Sequence, residues 1–204
     1  MHGFRRYTAL LLLVAALALT VTACSGGGGS DSGDDTGGGS KTFTSDQYGF
    51  SITYDTQLTE GEPLEGSGAG GSSVFDVIFA DKDGAMLDDR YVDAIQVSVY
   101  ELAREVEPSE LPQLKSELDS VVEQMMGSLS EATIVEPLTE ITVNDVPGFA
   151  LKYTYTQDGT ELTAVTYFLV KGKYEYQISA QATTENWEAL KGTLEAAVNS
   201  FTAP

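Results

Sequence analysis

Residues 149–180 read FALKYTYTQDGTELTAVTYFLVKGKYEYQISA. Phe149, Leu151, Tyr153 and Tyr155 alternate with Lys152, Thr154 and Thr156. That period of two belongs to a strand with one face on a core. Asp158-Gly159 then marks a two-residue hairpin, whose turn needs backbone angles that Gly and Asp tolerate. Leu162 to Val170 returns, Lys171-Gly172-Lys173 turns again, and Tyr174, Tyr176, Ile178 and Ala180 make a last strand. Strands linked this tightly must be antiparallel, and their apolar faces need a cover.

Working outward, the cover is legible. Leu111, Leu114, Leu118, Val121, Val122, Met125, Met126 and Leu129 form one apolar stripe at helical spacing, with Pro108-Ser109 as its start. Trp187, Leu190, Leu194, Ala197, Val198 and Phe201 form a second, with Thr184 as its expected N-cap and Glu185 and Glu188 in the first turn. Between the helices, Thr133 to Val143 is a strand broken by Pro137, which places it at an edge or a bulge. Asn144 to Gly148 reads as a turn. Before the first helix, Phe50-Ile52-Tyr54 and Ile95-Val97-Val99 alternate as strands, and Val74 to Ala80 is apolar enough to be covered on both faces. Residues 57–73 read as a glycine-rich loop. The expectation is an α+β sandwich: a largely antiparallel sheet of six or seven strands flanked by amphipathic helices, in a single domain over 41–204. About 160 residues suffice for one well-buried core.

This layout resembles the PsbP-like (Mog/PsbP) superfamily. The residues that carry the likeness are the opening Tyr48-Gly49-Phe50-Ser51-Ile52-Thr53-Tyr54, the mid-chain helix, the unit around Val146-Pro147-Gly148-Phe149-Ala150-Leu151, and a terminal helix ending Asn199-Ser200-Phe201. The LpqN-like exported lipoproteins of actinobacteria are similar in type. The resemblance implies a sheet flanked by helices, and members that bind proteins or assist assembly without known catalysis. One departure is that Tyr54 is followed by Asp55-Thr56-Gln57, where the family commonly has Tyr-Pro-x-x-Trp.

The N-terminus reads as an address. Arg5 and Arg6 precede the unbroken apolar run Ala9 to Leu19, which is too short to span a bilayer and fits a secretory signal on the general export route. Val21-Thr22-Ala23-Cys24 follows, and here residues 1–24 resemble a bacterial lipoprotein precursor. The resemblance implies that the Cys24 thiol is alkylated with diacylglycerol and that cleavage after Ala23 makes Cys24 the first residue. The other reading is an ordinary secretory signal, which leaves a free thiol on an exported chain. Ser25 to Ser40 (SGGGGSDSGDDTGGGS) has no apolar group, so 24–40 should be a lipidated Cys followed by a flexible tether. The expected location is the outer face of the bacterial cytoplasmic membrane. Without residues 1–23, nine basic residues remain against 31 acidic ones, a net of −22, so an anionic lipid surface repels the body and the lipid must do the holding.

Composition excludes several functions. The 204 residues carry a formal charge of −20, which leaves no basic face for nucleic acid. The sole His is His2 and the sole Cys is Cys24, so the mature chain has no Ser-His-Asp or Cys-His arrangement and no imidazole zinc site. Ser67, in the glycine-rich Glu65 to Gly71 loop, lacks the Gly-Lys-Ser/Thr ending of a phosphate cradle. No catalytic residue and no cofactor is expected. Asp81, Asp83, Asp88 and Asp89 offer hard oxygen ligands for Ca²⁺, although the register departs from an EF-hand and an acidic surface turn also accounts for them. Tyr153, Tyr155, Tyr167, Tyr174 and Tyr176 could line one stretch of sheet as a binding surface, or be core phenols whose tips reach solvent. Three functions follow: a noncatalytic binding or assembly module for envelope proteins; a carrier of a lipid or other apolar small molecule, with Met125 and Met126 suited to an adaptable pocket; and a carboxylate-pair enzyme such as a glycosidase. The first is the expectation and the second the alternative.

Overall fold

The structure is a computed structural model in which residues 39–61 and 73–204 are described. The signal segment with Ala23 and Cys24, the tether through residue 38, and the glycine loop around Ser67 lie outside the described residues. Strands β1 (Ser40–Thr44) and β2 (Ser51–Asp55) pair with each other as a separate antiparallel ribbon. β3 (Leu58–Gly61) and β4 (Phe75–Asp81) follow, then a short hairpin of β5 (Met86–Leu87) and β6 (Arg90–Tyr91), then the long β7 (Ala94–Val106). A 3₁₀ turn at Pro108–Glu110 leads into α1 (Leu111–Ser128). β8 (Ser130–Val143), β9 (Val146–Gln157), β10 (Thr160–Thr183) and α2 (Thr184–Ser200) complete the order. The main sheet runs β3-β4-β7-β10-β9-β8, and every pair in it is antiparallel.

β10 is extended throughout but is not straight. Its 24 residues would span about 80 Å if it were. Yet Thr166 Oγ1 lies 3.2 Å from Ser179 Oγ, and Thr163 Oγ1 lies 3.1 Å from Thr184 Oγ1. The run therefore doubles back at Lys171-Gly172-Lys173, where the sequence predicts a turn and where Gly172 takes φ +60°. Its first arm registers with β9, from Thr160↔Gln157 to Leu169↔Gly148. Its second registers with β7, from Tyr174↔Glu101 to Gln181↔Ala94. With the arms counted separately, seven strands lie side by side in the main sheet.

Each face has its own cover. α2 buries Trp187, Leu190, Leu194, Ala197 and Val198, the stripe its spacing predicts, against one face of the sheet. The β1–β2 ribbon packs beside it, tied to the C-terminus by the Ser200 hydroxyl, which contacts Thr53 N at 2.7 Å and O at 3.0 Å. Rings fill this core: Phe50 sits against Tyr176 and Phe201 with centroids 5.8 and 5.7 Å away, and Tyr54 stacks on Phe79 at 4.3 Å. α1 covers the opposite face over Leu138, Tyr153, Tyr155 and Leu162. Its contact is looser. Only Leu111 and Val122 of its stripe are fully buried, and Met125 and Met126 are half-buried.

Three local expectations need correction. Residues 57–73 are not all loop, because Leu58–Gly61 pairs with Ile78–Asp81 as an edge strand. Its single buried side chain, Leu58, gives too short a pattern to show alternation. The N-cap of α2 is Thr183, whose hydroxyl accepts from Asn186 N at 3.3 Å, and Thr184 is the first helical residue. The β8–β9 connection is confined to Asn144 and Asp145, with φ +44° and +67°, so Pro147 and Gly148 lie within β9. β8 is an edge strand whose register shifts on both sides of Pro137, as the proline predicts.

Candidate functional site

β7 and the second arm of β10 are paired so that Gln96 faces Ser179, Ser98 faces Gln177 and Tyr100 faces Glu175. On its other side β7 sets Ser98 opposite Asp76 of β4. Alternation puts Gln96, Ser98 and Tyr100 on one face, so these residues form a continuous polar strip across three strands. Apolar groups border it: Ile78, Ala80 and Ala94 on one flank, Leu151, Ala164 and Phe168 on the other. Gln96, Ser98 and Gln177 are buried, at 4 %, 3 % and 2 % exposure. Asp76, Tyr100 and Glu175 are half-buried and mark the end from which the strip can be reached.

The bonding within the strip is incomplete. Asp76 accepts from the Ser73 hydroxyl and from Ser98 Oγ at 2.5 Å. Gln96 Nε2 donates to Ser98 Oγ at 3.1 Å and to Asp76 Oδ1 at 3.4 Å. Among the described residues the Gln96 and Gln177 Oε1 atoms are buried without a hydrogen-bond partner. A buried polar atom left unpaired costs about 1–3 kcal/mol. Burial pushes the Glu175 carboxyl up to about 7. Burial, together with the charges of Asp76 and Glu175, holds the Tyr100 phenol above its ordinary range. Among the described residues neither carboxylate is in an ion pair.

The structure divides the five tyrosines between the two faces. Tyr153 and Tyr155 lie under α1, their ring centroids 5.8 Å apart. Tyr155 donates to Gln181 Oε1 at 3.2 Å, and the Tyr153 hydroxyl lies 3.4 Å from Thr166 Oγ1. Desolvation raises both phenols. Tyr167, Tyr174 and Tyr176 belong to the α2 face. Tyr176 is 1 % exposed and donates to Tyr48 O at 3.0 Å, and burial pushes its phenol up to about 12. Tyr174 and Tyr176 lie 6.2 Å apart, and Tyr167 is half-buried.

Asp81 ends β4, and Asp83, Asp88 and Asp89 lie in turns. Asp81 is buried, accepting from Asp83 N at 2.9 Å and Gln57 Nε2 at 2.7 Å. Asp88 and Asp89 are the two turn residues of the β5–β6 hairpin, with φ +47° and +62°, the geometry of a type I′ turn. Among the described residues no group of three or more His, Cys, Asp or Glu is placed to hold a metal. Asp93, which nothing in the sequence singles out, is fully buried and accepts from Thr183 N at 2.8 Å, Asn186 Nδ2 at 2.8 Å and Ala85 N at 3.0 Å. A separate cleft of about 200 Å³ lies where β7 runs into α1, lined by Glu107, Leu111, Asp145, Val170 and Lys171 among others.

The PsbP family profile matches residues 38–203. The chain belongs to the PsbP family. The match spans all the elements described above. Among solved structures, the chain is similar to cyanobacterial PsbP (CyanoP) from Synechocystis, at 13 % identity and a TM-score of 0.60, over 86 % of this chain and 98 % of that one. It is also similar to LpqN of Mycobacterium tuberculosis, a protein involved in cell envelope biogenesis, at 11 % identity and a TM-score of 0.57, over 83 % and 93 %. At these identities the likeness is one of fold. No curated protein matches the chain in sequence.

The strip of this PsbP-family domain escapes sequence reading for a physical reason. Gln96, Ser98 and Gln177 alternate with apolar residues in the way of a solvent-facing row. Alternation shows that two faces differ; it does not show that the polar one is exposed. The sequence signal that was there is composition. Two glutamines, a serine and a tyrosine on paired strands are unusual where β-branched residues would serve an open face better.

Proposed function

We propose that the protein is a noncatalytic binding module, anchored by a lipid on Cys24 to the outer face of the cytoplasmic membrane and acting on cell-envelope components. The carrying observation is the arrangement of the chain. The PsbP-family domain occupies 38–203, and its first strand begins at Ser40, sixteen residues after Cys24. A Gly/Ser/Asp segment of that length gives a reach of roughly 20–25 Å, enough to clear the headgroups. The role of LpqN in envelope biogenesis, on a similar fold, supports an envelope partner. The binding assignment, as against chemistry, is supported by a mature chain without imidazole or free thiol.

The exported Cys24→Ser protein is the direct test. It should move from the membrane pellet to the soluble fraction in high salt, because a body of net charge −22 has no attraction of its own for anionic lipid. A variant that still sediments with membranes contradicts the lipid anchor. Crosslinking in intact cells should recover a reproducible envelope protein with the wild type and lose it with the soluble variant. Recovery of none would count against the module.

A further inference from the structure

Glu175 sits at the middle of the main sheet. It pairs with Tyr100, and their strands, β10 and β7, are the two central ones. Gln177, two residues on, shares its face. Glu175 is half-buried. Among the described residues its carboxyl has neither an ion pair nor a hydrogen bond. A carboxylate withdrawn from water is costly unless a cation or donors replace its hydration.

Among the described residues the surrounding elements supply neither. On β7, Tyr100 faces Glu175 with its phenol bonded to Ser98, and Arg104 holds Glu110 at 2.8 Å. On β4, Asp76 adds a second acid. The first arm of β10 turns Thr166, Phe168 and Val170 to this face, and none of them titrates. At its turn, Lys173 lies 4.0 Å from Glu101, and Lys171 lines the separate cleft. On α1, Lys115 holds Asp119 at 2.9 Å. Desolvation therefore acts on this carboxyl uncompensated, and it accounts for the rise to about 7.

We propose that Glu175 is a proton-operated switch on the β7–β10 seam: the folded domain keeps it as a neutral acid, and its ionisation loosens the centre of the sheet. Between the ordinary carboxyl value of 4.5 and about 7, the folded chain holds a proton that the unfolded chain has released. Stability therefore falls as pH rises through that window. Below the window both states are protonated and nothing is lost. Above it both are ionised, and the loss is complete and constant. The switch goes beyond the binding-module reading and needs neither the anchor nor an envelope partner, so failure here leaves the fractionation result standing, and the reverse holds too.

Urea unfolding of the wild type and of Glu175→Gln, at pH 5 and again at pH 8, tests it. The variant keeps the shape of the side chain and cannot ionise. Its advantage over the wild type should grow between the two pH values, by roughly tenfold or more in the folded-to-unfolded ratio. Glu161→Gln, at an exposed position on the first arm of β10, should track the wild type at both. This control matters because a chain of charge −20 repels itself more as pH rises. A Glu175→Gln advantage that is constant or shrinks with pH overturns the proposal. So does an equal gain by Glu161→Gln. Should Glu175→Gln not fold, a carbon-detected NMR titration of the Glu175 carboxyl in the wild type decides. A midpoint near 7 is expected, and one in the ordinary range near 4.5 overturns the switch.

Discussion

Asp93→Ala is expected to destabilise the domain by about 3 kcal/mol or more, on ~1–3 kcal/mol for each buried donor left unpaired. The carboxylate sits at 0 % exposure and receives the Thr183 and Ala85 amides and the Asn186 side chain. Those donors come from the end of β10, the loop before β5 and the first turn of α2. One side chain therefore ties the helix that closes the main core to the sheet and to the β5–β6 hairpin. Urea unfolding should show a lower midpoint with little change in slope. Asp93→Asn, which keeps one acceptor oxygen, should lose less. A loss under about 1 kcal/mol for the alanine variant, below the cost of one unpaired buried donor, would contradict this account.

Gly148→Ala is the second large effect. A Cβ at Gly148 would lie 2.1 Å from Phe168 O, 2.8 Å from Leu169 Cα and 2.9 Å from Phe168 C. All three atoms are backbone, so no flexible side chain can give way. Gly148 pairs with Leu169 on one side and Ile141 on the other, in a strand with neighbours on both sides. Overpacking of this kind typically costs ~1–3 kcal/mol, and here the upper end is expected because the ladder itself must shift. The measured quantity is again the urea midpoint, with thermal unfolding as a check. Gly127→Ala in α1 is the natural comparison: nothing lies within 4 Å of its added methyl, and replacing a helical glycine stabilises by up to ~1 kcal/mol. Equal behaviour of the two variants would contradict the close approach.

Helical stripes are the most legible feature of this sequence, because a period of 3.6 sustained for more than four turns fits little besides a helix with one buried side. The stripe of α2 is buried residue for residue from Trp187 to Phe201. The hairpin at Asp158-Gly159 is equally legible, since its residues take the φ of +50° and +80° that their chemistry suits. Short edges are not. β1 and β3 have five and four residues, and the ribbon of β1 and β2 is specified by packing on α2 and the C-terminus rather than by local pattern. Asp88-Asp89 shows a further ambiguity. Acids suit a tight turn and a cation equally well in sequence, and the backbone angles show the turn. The tyrosines are legible as strand residues, but not as two groups. Tyr153 and Tyr174 stand on opposite faces because the register sets Tyr153 beside Ala164 on one face and puts Tyr174 in phase with Tyr176 and Ile178 on the other, a relation between strands far apart in the chain. The polar strip is hidden for the same reason. Its members come from β4, β7 and β10, and only pairing brings Asp76 and Glu175 onto one surface.

Intact mass spectrometry of the protein extracted from membranes bears most directly on the account. A chain that starts at Cys24 and carries the added mass of a thioether-linked diacylglycerol is the predicted result. A chain with residues 1–23 still attached, or one that starts at Cys24 with an unmodified thiol, would contradict it.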